Sequence, residues 1–139
     1  MSKFKLFIVA VSIFAVACSK GGDSPAPTPT PTPTESPITF SVTQDPGTGN
    51  ILGVVGTAQT INVRLTSTLP TAGVNIEVTV RKDADNSVVY TTTNSSVVSD
   101  NSINITGLTP GVLCTATVLV TSKSTASNNR NLSFKLAAK

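Results

Sequence analysis

Val74-Asn-Ile-Glu-Val-Thr-Val-Arg81 alternates apolar and polar residues without a break. A β-strand sends successive side chains to opposite faces, so Val74, Ile76, Val78 and Val80 share one face. Asn75, Glu77, Thr79 and Arg81 share the other. A strand with one dry and one wet face needs a second layer to cover the dry one. The next segment, Lys82-Asp-Ala-Asp-Asn-Ser87, is rich in turn formers, and Val88-Val89-Tyr90 follows it. This pattern predicts a hairpin.

The same period of two recurs on either side. Ile38, Phe40 and Val42 alternate with Thr39, Ser41 and Thr43, and Asp45-Pro-Gly-Thr-Gly-Asn50 then turns the chain. Ile51 to Val55 is apolar but interrupted by Gly53, which predicts a short or bulged piece. Ile61, Val63 and Leu65 form the next alternating set, closed by the turn Leu69-Pro-Thr-Ala-Gly73. Beyond the hairpin, Ile103 and Ile105 lead to Leu108, and Cys114, Ala116, Val118 and Val120 alternate with Thr115, Thr117, Leu119 and Thr121. Ser122 to Asn131 is a polar loop, after which Leu132, Phe134 and Leu136 make the last strand. No segment keeps a helical period over ten residues. Seven or eight short strands separated by turns predict an all-β fold, a single antiparallel sandwich spanning residues 38–139. Roughly 100 residues suffice to bury a core without staples.

Leu108-Thr-Pro-Gly-Val-Leu-Cys114, running into Ala116, Val118 and Val120, resembles the corner of fibronectin type III domains where Leu-x-Pro-Gly-x-x-Tyr leads into alternating apolar residues. Cys114 stands where that family has its tyrosine, and Leu65 falls about where it has a tryptophan. Bacterial immunoglobulin-like repeats of surface proteins are similar in size and strand rhythm. The resemblance implies an immunoglobulin- or fibronectin-like sandwich.

Ahead of this domain the chain changes character. Lys3 and Lys5 precede the apolar run Leu6–Ala17. A basic start and a short apolar run predict a secretory signal peptide over residues 1–17, too short for a permanent membrane helix. The run ends in Ala15-Val16-Ala17-Cys18, which resembles the lipobox of bacterial lipoproteins. That resemblance implies cleavage between Ala17 and Cys18, lipid on Cys18 and attachment to a membrane. Ser19 in place of Asp favours the outer membrane by the same likeness. Ser19-Lys20, with Asp23 following after Gly21-Gly22, is similar to export tags of surface lipoproteins in Bacteroidota, which carry acids after Ser-Lys. Ser24 to Pro37 alternates proline with threonine, alanine and serine. Proline removes backbone donors and fixes φ, so residues 18–37 are expected to be a disordered, extended Pro/Thr-rich linker. At about 3.1 Å per residue, that linker spans roughly 60 Å.

Charge and chemistry narrow the function. From Cys18 onward eight Lys/Arg face seven Asp/Glu, with no basic run to hold nucleic acid. If lipid occupies Cys18, Cys114 has no disulfide partner and is expected to be a small buried hydrophobe. The chain has no histidine, and its carboxylates show no spacing of a catalytic pair. No serine sits in a Gly-x-Ser-x-Gly elbow. The sequence therefore predicts neither an enzyme nor a cofactor. Asp83-Ala-Asp85-Asn86 could hold calcium but lacks the glycine and distal glutamate of an EF-hand loop, and is expected to be a turn. Asn94-Ser-Ser, Asn104-Ile-Thr and Asn131-Leu-Ser match the glycosylation pattern, a chance match in a bacterial lipoprotein. Sugar recognition wants an exposed ring. Alternation turns Phe40 and Phe134 inward, leaving Tyr90 as the ligand-binding candidate. The expectation is a lipid-anchored envelope protein presenting one sandwich for structural, adhesive or protein-binding roles. The alternative is a carbohydrate-binding surface lipoprotein of a glycan-uptake system, and a hydrolase of unusual type ranks below it.

Overall fold

A computed structural model describes residues 34–139. The expected signal peptide, the expected Ala17–Cys18 site and the expected linker up to residue 33 lie outside the described residues. Residues 34–139 fall within one compact unit. In chain order its strands are β1 (Phe40–Val42), β2 (Ile51–Val54), β3 (Gln59–Leu65), β4 (Val74–Lys82), β5 (Val88–Ser96), β6 (Asp100–Ile105), β7 (Leu113–Ser122) and β8 (Asn129–Ala138). They make a three-stranded sheet in the order β1-β3-β6 and a five-stranded sheet in the order β2-β8-β7-β4-β5. The described residues contain no helix, and the fold is an all-β sandwich compatible with an immunoglobulin-like arrangement.

Alternation sets the register. β7 is the central strand of the larger sheet and pairs with β4, with Val78 opposite Val118 and Val80 opposite Ala116. All four side chains are fully buried, as are Ile61, Val63 and Ile105 from the smaller sheet. Cys114 joins this core. In the central strand β7 the outer residues are half-buried rather than bare. Thr115, Thr117, Leu119 and Thr121 of β7 are of this kind.

Two features depart from the alternating pattern. The expected sandwich is antiparallel throughout, yet β2 pairs with β8 in parallel, Ile51 opposite Lys135 and Val54 opposite Ala138. The cause is the turn at 43–50, where Gly47 and Gly49 take φ of +82° and +79°. It carries the chain from one sheet to the other without reversing its direction, so β1 and β2 run the same way. β5 is also longer than Val88–Tyr90, continuing through Thr91-Thr-Thr-Asn-Ser-Ser96. As the last strand of its sheet it buries little on either face, so hydrophobic alternation is absent there. Its β-branched threonines and the ladder to β4 hold it instead.

The Leu-Thr-Pro-Gly segment forms a tight turn. Val112 N donates to Thr109 O at 3.2 Å, proline fixes one central φ, and Gly111 supplies the other at +77°. Leu108 is buried ahead of the turn, and the Cys114 thiol beyond it lies 4.0 Å from Val112 O.

At the other end of the sandwich the chain enters through a set of hydrogen bonds. Ile38 N donates to Asn128 Oδ1 at 2.9 Å, and Asn128 Nδ2 donates to Ser36 O at 3.0 Å and to Glu35 Oε2 at 3.1 Å. Ser124 Oγ donates to Glu35 Oε1. These bonds hold the Glu35 carboxyl below its ordinary range, the Ser124 hydroxyl contributing most. Among the described residues, hydrogen bonds to the sandwich thus reach back to Glu35, ahead of Ile38.

Candidate functional site

The outer face of the five-stranded sheet is a field of small polar groups. Register places Thr91, Thr79, Thr117 and Ser133 in one row across β5, β4, β7 and β8. Thr79 and Thr91 hydroxyls are 3.3 Å apart, and Thr117 and Ser133 hydroxyls 2.9 Å apart. One residue pair nearer the β4–β5 turn, the row changes to charge: Arg81 of β4, Thr115 of β7 and Lys135 of β8.

Asp83, from the β4–β5 turn, closes over this row. Lys135 Nζ lies 2.6 Å from Asp83 Oδ2 and 2.8 Å from Thr115 Oγ1, which itself donates to Asp83 Oδ1 at 2.6 Å. Lys135, ahead of Thr115, holds the Asp83 carboxyl below its usual range. Arg81 Nη1 donates to Asn86 O at 3.0 Å across the same turn. A groove of 490 Å³ runs between these groups and Lys82, and a smaller hollow of 240 Å³ beside the 45–50 turn shares Thr115 and Lys135 with it. Three cations face one carboxylate, and Asp83 and the Asn86 carbonyl already engage Lys135 and Arg81. The groove can hold a polar or anionic group by hydrogen bonds. Each oxygen of its one acid, Asp83, already accepts one hydrogen bond.

The residues singled out from the sequence fall in separate places. Tyr90, the ring expected to be exposed, sits opposite buried Val80 and packs half-buried against the core. Phe134 is buried, and Phe40 packs half-buried against the same core. The Asp83–Asn86 segment is a turn. Asp85 Oδ1 accepts from Ser87 N at 2.9 Å and Ser87 Oγ at 2.6 Å, and Asn86 takes φ of +59°. Among the described residues no three acidic, Cys or His groups converge as metal ligands. Cys114 is a free, buried thiol whose pKa burial pushes up.

The Lys135–Asp83–Thr115 cluster has no counterpart in the sequence patterns, because Asp83 and Lys135 stand 52 positions apart. The outward parity of Thr115 and Lys135 was available, but the pairing that makes them neighbours was not. Comparison with protein-family models finds no match, and comparison with curated proteins finds none.

Proposed function

We propose that the protein is a lipid-anchored component of a bacterial cell envelope. In this reading Cys18 carries the lipid, residues 18–34 act as a spacer, and one immunoglobulin- or fibronectin-like sandwich is presented for protein contacts. The observation that carries the reading is the polarity of the sandwich. The chain enters beside the β7–β8 loop, where Asn128 ties down Glu35, Ser36 and Ile38. The β4–β5 turn and its groove lie at the opposite end of β4, nine residues or about 27 Å away. A tether entering at one end leaves the other end free to meet partners. The Pro-Gly turn into Cys114 supports the fibronectin-like assignment, and the hydroxyls and cations that line the groove support a binding role.

The carbohydrate reading shifts its ground from Tyr90 to the groove, where hydroxyls and cations replace an aromatic platform. Retention of the protein on glycan affinity gels, lost in Lys135→Ala, would favour it.

Labelling with radioactive palmitate tests the anchoring. Label should enter the wild type and be absent from Cys18→Ser, which should also leave the membrane fraction. Equal labelling of both overturns the reading.

A further inference from the structure

The four sheet edges are treated differently. β1 is three residues long, and β2 is four residues long with the Lys139 side chain lying over Gly53. β6 carries Asp100, paired with Arg64 across the sheet at 3.6 Å. Short length and charge are the usual guards of an exposed edge, because unpaired backbone groups there invite another strand. β5 has neither guard. Its nine residues Val88-Val-Tyr-Thr-Thr-Thr-Asn-Ser-Ser96 contain no charge and no proline. A single bulge opposite Val80/Arg81 interrupts it, leaving Tyr90–Ser96 in unbroken register with β4.

We propose that β5 pairs with β5 of a second copy of this chain, antiparallel about a two-fold axis at Thr93, joining two five-stranded sheets into one of ten. The regular run Tyr90–Ser96 has Thr93 at its centre, so a two-fold axis there gives the longest overlap free of the bulge. It sets Thr93 opposite Thr93 of the partner copy, Thr91 opposite Ser95, Thr92 opposite Asn94 and Tyr90 opposite Ser96. No charged residue meets itself, and hydroxyl-bearing residues meet hydroxyl- or amide-bearing ones, pairs that stabilise neighbouring strands. Thr91, Thr93 and Ser95 are exposed on the outer face, so the polar rows of the two sheets become continuous. An isologous edge contact closes on itself and consumes both long edges, which ends the association at two copies. The inference deepens the protein-contact reading by naming the partner, and rests on it only for the choice of a protein as occupant. The anchoring reading fails separately, by the palmitate label.

Disulfide trapping in the full chain tests the register. Directly opposite residues of an antiparallel pair have Cα atoms about 4.5–5.5 Å apart, within disulfide reach. Residues offset by four positions are roughly 13 Å apart and beyond it. Thr93→Cys, oxidised in cell extracts, should give a reducible dimer absent from the parent chain. Thr91→Cys and Ser95→Cys should each stay monomeric alone and crosslink when co-expressed. In the Thr93→Cys background, adding Thr91→Lys with Ser95→Lys should abolish the dimer, whereas Thr91→Lys with Ser95→Glu should keep it. No dimer from Thr93→Cys overturns the proposal. So does equal crosslinking from all three positions, or identical behaviour of the two charge pairs.

Discussion

Asp83 shows how much one turn residue can organise. Its carboxylate accepts from Lys135 and Thr115 and so pins the β4–β5 turn to β7 and β8. Because its folded pKa is depressed below the ordinary 3.8 of an aspartate, its contribution is present above that value and is lost as pH falls through the folded pKa. Asp83→Asn should therefore have a lower thermal midpoint than wild type at pH 7. The gap should narrow as pH falls below about 3.8 and close once the folded-state carboxyl is itself protonated. A gap that stays constant from pH 7 to pH 2 would show that the carboxylate charge contributes nothing. Cys114 and Val118 probe the opposite face. Val118 is fully buried, and an aspartate there would have no partner, at a cost of several kcal/mol against a total of about 5–15. Thr117→Asp, on the outer face, should cost under about 1 kcal/mol. Urea denaturation separates the two, and a tolerated Val118→Asp beside an unfolded Thr117→Asp would contradict the register. Native Cys114 should resist iodoacetamide and react once the chain is unfolded, since burial both shields the thiol and disfavours its thiolate.

At the scale of elements, legibility follows burial. β3, β4, β7 and the C-terminal half of β8 were readable because each has one face in the core, so their apolar residues recur every second position. β5 beyond Tyr90 was not, because an edge strand with two wet faces leaves no such trace. The parallel β2 was half-legible: its apolar run is visible, but its direction is fixed by the turn at 43–50 and its partner lies more than 80 positions away. Turns carry their own signals. Gly73 and Gly111 both adopt positive φ, +80° and +77°, but in different surroundings. A Cβ at Gly111 would meet open space, whereas one at Gly73 would overlap the Ser96 carbonyl oxygen and approach Val97 Cγ1 to 2.9 Å. Gly111→Ala should cost about 1–2 kcal/mol for the backbone conformation alone. Gly73→Ala should add about 1–3 kcal/mol for forcing the β3–β4 and β5–β6 turns apart. Equal losses in chemical denaturation would mean that the two turns separate freely.

Across the whole molecule, the sandwich was legible because roughly 100 residues of period-two sequence have few other ways to bury one face. The groove was not, because its residues come from β4, the β4–β5 turn, β7 and β8, and only strand order joins them. The entry of the chain was equally hidden. The proline pattern through Pro37 predicts a spacer that ends where alternation begins, yet Asn128 reaches back to Ser36 and Glu35. Asn128 fills both roles because its amide accepts from Ile38 N while donating to Ser36 O. A chain starting at Thr34 should therefore melt higher than one starting at Ile38. The lost bond to Ser36 O alone is worth about 0.5–1 kcal/mol, which corresponds to roughly 2–6 °C for a domain of this size. Asn128→Ala should lower the midpoint of the longer chain at least as far, since it also strands the buried Ile38 amide. Extending the chain back to Ser19 should add nothing further if the remaining linker only tethers. Calorimetry of the four chains decides the matter, and identical midpoints for the Thr34 and Ile38 chains would show that residues 34–37 touch the sandwich without stabilising it.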